Sequence, residues 1–285
     1  MQTRYLITGA GGMLGTDLLR ALNGRDVTAL DRSGLDISDA EAVRAAIDGF
    51  DVVINAAAYT KVDEAETHEA EAALANAVGP GNIARAAAQT GARLVQVSTD
   101  YVFSGQDQGP YAEDAPTAPV SAYGRTKADG ERRVLEAHPT GSYVVRTAWL
   151  YGEHGPNFVR TMLALGSRRP EVSVVDDQVG QPTWTLDLAR QIVLLLDSDA
   201  PAGIYHGTAG GEASWYEFAR AIFRFGGLDP ENVLPTDSSA FVRPAPRPAN
   251  SVLGHEAWTR AGLPPIRYWR DALREAFDTG ALTAP

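Results

Sequence analysis

The chain has 285 residues, 44% of them hydrophobic and 21% charged, an ordinary globular balance that excludes disorder and fibrous repeats. At roughly 150 residues per domain this length makes two lobes, or one large α/β body with an appendage. With 25 basic residues against 36 acidic ones the formal charge is −11, so there is no general attraction for nucleic acid or an anionic membrane, and any phosphate must be held by local geometry. Cysteine is absent, which removes disulfides, thiolate metal sites and cysteine nucleophiles together. Met1-Gln2-Thr3-Arg4 leads directly into a strand pattern rather than a signal peptide, so a cytoplasmic location is expected.

Residues 5–8 are short, uncharged and β-prone, and after a glycine cluster residues 13–22 carry apolar side chains at helical spacing. A strand is expected at 26–30, a helix at 39–47, a strand at 51–55, and a long alanine-rich helical region ending near Gln89. Within it, Gly79-Pro80-Gly81 predicts a break near Val78, because proline removes a helical hydrogen bond. A strand at 93–97, a helix at 127–136 and a strand at 143–145 continue the alternation. Uninterrupted Val, Ile and Leu runs fit strands buried on both faces. The rhythm predicts an α/β fold, a doubly wound parallel sheet of Rossmann type with a smaller C-terminal substrate-binding lobe.

Beyond Gly152 the alternation weakens, and aromatic and proline content rises. Helices are expected at 157–166, 186–196, 215–225 and 268–277, with strands at 171–175 and 203–206. This assigns 1–150 with roughly 171–205 to dinucleotide binding, and 151–170 with 206–285 to the substrate lobe. The proline-rich segment Arg243-Pro244-Ala245-Pro246-Arg247-Pro248 brings two arginines into an acidic chain and reads either as a linker or, favoured by those arginines, as a ligand-contacting loop.

Thr8-Gly9-Ala10-Gly11-Gly12-Met13-Leu14-Gly15 joins the first strand to the first helix. Glycines at 9, 12 and 15 tighten the turn and admit a pyrophosphate to backbone N–H groups at the positive end of the helix dipole. Asp31 ends the second strand, where a carboxylate accepts from ribose hydroxyls. Its neighbour Arg32 suits a 2′-phosphate, so the pair is compatible with NADH and NADPH alike. Asp36-Ile37 precedes the next helix, either cradling an adenine or forming a helix-start turn.

Tyr123 and Lys127 are four residues apart, on one face if the segment is helical. A free phenol has a pKa of about 10, and a neighbouring ammonium is expected to lower it toward useful acid–base work. Ser98-Thr99-Asp100 ends the 93–97 strand and Asn55-Ala56-Ala57-Ala58-Tyr59 ends another. Ligands of open α/β sheets gather at such carboxyl ends, where the Thr99 hydroxyl can share a carbonyl oxygen with Tyr123.

Taken together, Gly9-x-x-Gly12-x-x-Gly15, Asn55-Ala56-Ala57, Ser98-Thr99-Asp100-Tyr101-Val102-Phe103 and Tyr123-x-x-x-Lys127 resemble the extended short-chain dehydrogenases/reductases. Arg146-Thr147-Ala148-Trp149-Leu150-Tyr151-Gly152, Asn157-Phe158, Asp177-Gln178-Val179-Gly180-Gln181-Pro182-Thr183 and Arg247-Pro248-x-Asn250-Ser251 narrow the resemblance to the dTDP-4-dehydrorhamnose reductases, over nearly the whole chain. It implies that Gly9, Gly12, Met13 and Leu14 meet the cofactor phosphates, and that Asp31, Asp36, Ile37, Ala57, Ala58 and Tyr59 line the adenosine and neighbouring parts. Thr99, Tyr123 and Lys127 are then catalytic, with Tyr123 and Lys127 also on the cofactor and Thr99, Asp100 and Trp149 on the substrate. Arg247 is the candidate for the substrate diphosphate, because guanidinium matches phosphate geometry.

The implied reaction is reduction of the 4-keto group of a nucleotide-linked 6-deoxy sugar by NADPH, with NADH possible. In its most specific form it converts dTDP-4-dehydrorhamnose to dTDP-L-rhamnose. The resemblance also places Gly79-Pro80 within or beside a helix, against the local expectation. Some family members hold magnesium with glutamates at a dimer interface. Here the first helix offers Asp17 instead, so no required metal is expected, and the chain is expected to be a monomer or a homodimer. Competing expectations are a related epimerase, or a non-catalytic partner like the regulatory subunit of methionine adenosyltransferase. A dehydratase is disfavoured because Tyr101, not a glutamate, follows Asp100.

Overall fold

The computed structural model describes residues 2–283. Strands β1 (Arg4–Thr8), β2 (Asp26–Leu30), β3 (Val52–Asn55), β4 (Arg93–Thr99) and β5 (Ser142–Thr147) join the strand Gly203–His206 in one six-stranded sheet. All pairs are parallel, and the spatial order is 203–206, β5, β4, β3, β1, β2. The order reverses between β1 and β3, and such a switch point opens a crevice at the carboxyl ends of the two strands. Register puts Thr8 opposite Asn55, Asn55 opposite Gln96, and Thr99 opposite Thr147, so the strand ends that carry the candidate residues lie along one edge.

The sheet is buried on both faces, as its uninterrupted apolar runs require. Ile7, Ile54, Val95 and Val145 face a core that runs through the first helix, α1 (Met13–Ala21), to the C-terminal helices Trp215–Phe225 and Trp269–Asp278. Leu6, Val53, Leu94 and Val144 face a second core with Val43 and Ile47 of α2 (Ala40–Ile47). The period-two split of consecutive strand residues between two cores is the expected consequence of strand geometry.

After β3 come the short helices α3 (Val62–Ala65) and α4 (Glu69–Ala73). The break expected near Val78 does not occur. Instead α4 widens into a single π turn, Leu74–Val78, and continues as α5 (Gly79–Thr90) with Pro80 in its first turn. The proline falls where the π turn has shifted the hydrogen-bonding period, so its missing N–H is absorbed without a break. The π turn closes by a bond from the Gly79 N–H to the Leu74 carbonyl, so the chain changes its hydrogen-bonding period without leaving the helix. Such turns cluster at functional sites.

Helix α6 (Ala122–Ala137) starts well before the expected 127. Ser121 caps it by accepting from the Gly124 N–H at 3.1 Å, and Glu66 accepts from the Ala122 N–H at 2.8 Å. The earlier start places Tyr123 inside the first turn and Lys127 one turn on.

A second correction concerns residues 172–175, which sequence analysis grouped with the cofactor-binding part. Val172–Val175 pairs in parallel with Val233–Thr236, outside the six-stranded sheet. From that stretch the strand Gly203–His206 is the one that joins the main sheet, and the helix Thr185–Leu196 packs against α1. A four-residue strand cannot announce its partner 60 residues away. Among the described residues no helix is long and apolar enough to cross a membrane.

Gly130 lets α6 cross the π turn, since a Cβ there would collide with the Asn76 carbonyl. Gly130→Ala is therefore expected to destabilise the fold by about 1–3 kcal/mol, read as a lower denaturant midpoint with an unchanged m-value.

Candidate active site

The N-terminus of α1 is built to receive an anion. Its N-cap is Gly12, which contributes no side-chain oxygen, so the first helical amides, Met13 and Leu14, stay open to a ligand. Gly9 has φ +74°, and a Cβ there would run into the Ala56–Ala57 backbone. A Cβ at Gly15 would strike Gly9 and Ala10. These two glycines let the loop, the helix and the end of β3 close together. Gly11 faces open space, bounded by the Asp31 Cβ at 3.8 Å from where its own Cβ would be. The bare loop, uncapped helix and adjacent carboxylate fit the pyrophosphate and ribose of a dinucleotide.

Asp31 is exposed, and its Oδ1 accepts from the Ser33 hydroxyl and from the Ser33 and Gly34 amides, which hold its pKa below the usual carboxylate range. Asp36 makes the same kind of turn with Ser38. Ile37 turns inward and packs under Gly79 of α5, so its side chain belongs to the core, and its carbonyl accepts from Asn82. Leu14 is likewise buried, and Met13 half-buried.

Across the switch point, Asn55 accepts from the Thr8 hydroxyl (2.7 Å) and donates to Gln96 (2.7 Å), tying β1, β3 and β4 together. It also accepts from the Ala57 amide at 3.1 Å. Asn76, in the π turn, accepts from the Tyr59 amide at 2.8 Å and donates to the Tyr59 carbonyl and to Thr126 on α6. Thus Tyr59 is held against α6 by a residue that sequence reasoning passed over. The signal was the proline that marks the π turn.

Thr99 ends β4, and its hydroxyl donates to Asp100 at 2.8 Å. The Thr99 hydroxyl lies close enough to Tyr123 to bear on its phenol, and Lys127 donates to the Val97 carbonyl at 2.6 Å. The structure therefore brings Thr99, Asp100, Tyr123 and Lys127 into one cleft. One expectation fails here. The Tyr123 phenol is pushed up, not down, first by burial and then by the charge of Asp100, against a weaker pull from Thr99. The Lys127 ammonium is engaged by the Val97 carbonyl, and its own pKa falls to about 8 because burial outweighs the support of Glu131. A phenol held in its protonated form is a donor, the state that a carbonyl reduction requires.

Asp100 is 2% exposed, and its Oδ2 has no partner among the described residues. Burial raises its pKa to about 6 against the pull of the Thr99 and Ser251 hydroxyls. Trp149 stands on the same side. It has φ +48°, a left-handed conformation that costs about 1 kcal/mol or more in a bulky residue. It stacks on Trp215 with ring centroids 3.5 Å apart and planes 6° from parallel. A Cβ at Gly180 would collide with both the indole and Ser251, so this glycine lets the two close on one point. Trp215, Gly180 and Ser251 join the site only through folding. Arg247 lies with its guanidinium 6.0 Å from the centre of the Tyr101 ring, and Tyr101 meets Tyr123 edge-on at 5.5 Å. The proline-rich segment thus reaches the cleft.

A protein-family model described as RmlD substrate binding domain matches residues 3–281. The chain belongs to this family. A dTDP-4-keto-6-deoxy-D-glucose reductase of Streptomyces niveus is 50% identical to it over 281 residues, 97% of each chain. A dTDP-4-dehydrorhamnose reductase of Streptomyces griseus is 52% identical, over 96% of this chain and 93% of the relative. Among solved structures, a dTDP-4-dehydrorhamnose reductase from Bacillus anthracis str. Ames in complex with NADP has a TM-score of 0.94 at 40% identity, over 98% of this chain and 100% of that one.

In this member of the family Asp17 is buried and accepts from the Thr185 hydroxyl at 2.5 Å, while Asp187 pairs with Arg267 at 2.8 Å. Among the described residues no group of three His, Cys, Asp or Glu side chains is placed to hold a metal ion.

Asp100 sets a stability signature. Its folded pKa lies above its unfolded one, so its contribution is fully present below about pH 4 and is lost as pH rises toward about 6. Asp100→Asn is expected to flatten that window and to stabilise the protein at pH 7 by on the order of 2 kcal/mol while lowering turnover. Paired denaturation curves at pH 4 and pH 7 check it.

Proposed function

We propose that this protein reduces the 4-keto group of a dTDP-linked 4-keto-6-deoxy sugar with NADPH, converting dTDP-4-dehydrorhamnose to dTDP-L-rhamnose. The observation that carries the reading is the convergence of Thr99, Tyr123 and Lys127 beside an uncapped, glycine-lined helix N-terminus. Residues 1–150, with the helix and strand between 185 and 206, form the cofactor side, and the remaining C-terminal residues form the substrate side. We place the protein in the cytoplasm, as a monomer or homodimer, with a nucleotide-sugar as its ligand.

The amides of Met13 and Leu14 and the backbone of Gly9 and Gly12 hold the cofactor's phosphates, and Asp31 accepts from the adenosine ribose. Arg32 beside it favours a 2′-phosphate, hence NADPH over NADH. The bound cofactor supplies the hydride that goes to the sugar carbonyl carbon. As negative charge grows on the carbonyl oxygen, Tyr123 donates its phenolic proton to it and Thr99 holds it by a hydrogen bond. Lys127 keeps a positive charge within this water-poor cleft and faces the nicotinamide ribose. Asp100 and Trp149 bound the sugar, and Arg247 meets the diphosphate.

Two experiments test the reading. With a panel of dTDP-4-keto-6-deoxy sugars, Tyr123→Phe is expected to lower kcat by about 10²–10⁴-fold with NADPH affinity retained, and full activity in this variant contradicts the assignment. The pH profile of kcat/KM is expected to fall on its alkaline side near pH 8, where Lys127 loses its proton. A profile flat to pH 10 contradicts a lowered Lys127 pKa on which turnover depends.

A further inference from the structure

Asp63 lies on α3, on the cofactor side of the cleft, only eight residues after the end of β3. Its carboxylate gathers three groups from one stretch of the opposite side. The Arg247 guanidinium lies 2.9 Å from Oδ1, the Arg243 guanidinium lies 3.9 Å from Oδ2, and the Ala245 amide donates to Oδ1 at 3.3 Å. Arg247 also donates to the Ala245 carbonyl at 3.0 Å, which folds the side chain back along its own segment. The proline-rich residues 243–247 are therefore a strap fastened to α3 by a single acid.

The charge count matters. Two guanidiniums share one carboxylate, so the cluster carries a net positive charge in a chain whose total is −11. Arg243 is 60% exposed and only loosely paired, whereas Arg247 is 22% exposed and close to Asp63. A guanidinium has five N–H donors, and the Arg247 contacts to Ala245 and Asp63 leave donors for a further anion. Held in this way, Arg247 sits over Tyr101, whose edge touches Tyr123. Arg247 is thus separated from the phenol of Tyr123 by one ring, that of Tyr101.

We propose that Asp63 is a positioning residue for the nucleotide-sugar, fastening the 243–247 strap so that Arg247 is presented to the substrate diphosphate. This rests on the assignment of Arg247 to that diphosphate. Proline limits the strap's backbone freedom, and Asp63 removes what remains, so the ordering cost is met before the ligand arrives.

The test uses the full-length protein with dTDP as competitive probe, KM for the sugar nucleotide, and NADPH affinity by fluorescence. Asp63→Asn is expected to raise the dTDP inhibition constant and KM by about five- to tenfold, the range of a half-buried ion pair. The effect falls on these constants rather than on kcat or NADPH affinity. Asp63→Glu is expected to recover most of the loss, which a merely structural role does not predict. The double variant Asp63→Asn/Arg247→Gln is expected to be no worse than Arg247→Gln alone. If Arg247→Gln weakens dTDP while Asp63→Asn leaves it unchanged or tightens it, the positioning role is wrong and the diphosphate assignment stands. If Arg247→Gln leaves dTDP binding unchanged, the diphosphate assignment fails and takes this inference with it.

Discussion

The buried ion pair between Glu131 of α6 and Arg146 of β5 is the constraint on which the catalytic geometry rests. Arg146 meets both carboxylate oxygens, at 2.8–3.2 Å, and the Ser98 hydroxyl donates to the same carboxylate at 2.5 Å. Both charged side chains are almost wholly buried, so removing one partner would cost about 3–5 kcal/mol. The pair is satisfied from every side. Arg146 also donates to the Glu113 carbonyl and lies over the Phe103 ring. His206, kept neutral by burial and by Arg146 with its pKa pushed down to about 3, is within 3.4 Å of the guanidinium. What this network fixes is the position of α6 against the ends of β4 and β5. Ser98 immediately precedes Thr99, and Glu131 is one turn beyond Lys127. The clamp therefore fixes the separation between the hydroxyl, the phenol and the ammonium.

A second theme is how an acidic protein takes two anionic ligands. On the cofactor side it relies on dipoles, since the N-terminus of α1 presents amides rather than lysines. On the substrate side it concentrates two of its 25 basic residues on one strap and moors them with Asp63. In between, the charges are buried and few. Asp100 and Lys127 are each strained toward neutrality by desolvation, and Tyr123 stays protonated. Groups whose solvation is so incomplete respond strongly to the charge that develops on a reacting carbonyl.

Much of this was legible in the sequence, for identifiable reasons. Strands buried on both faces have no polar alternation to confuse them, and the glycine trio sits at the one turn where backbone must approach phosphate. The spacing of Tyr123 and Lys127 gave their common face once the segment proved helical. The illegible parts all depend on partners distant in the chain. Pro80 looked like a helix stop because the π turn that absorbs it is stabilised by packing on α6. Residues 172–175 looked like part of the main sheet because nothing local names Val233–Thr236 as their partner. Lys127 was expected to draw the phenol down, but folding gave its hydrogen bond to the Val97 carbonyl and left burial in control. Asn76 and Asp63 carry no motif of their own, and the motifs that hold Gly180 and Ser251 do not say that the two meet.

The account holds that hydride crosses from the cofactor to the sugar carbonyl carbon and stays there. The most direct measurement uses NADPH deuterated at the transferable position, incubated with dTDP-4-dehydrorhamnose, with the product analysed by mass spectrometry and NMR. The account predicts one deuterium at C4 of the product for each NADPH oxidised. Unlabelled product, or an epimerised sugar formed without net NADPH consumption, would contradict it.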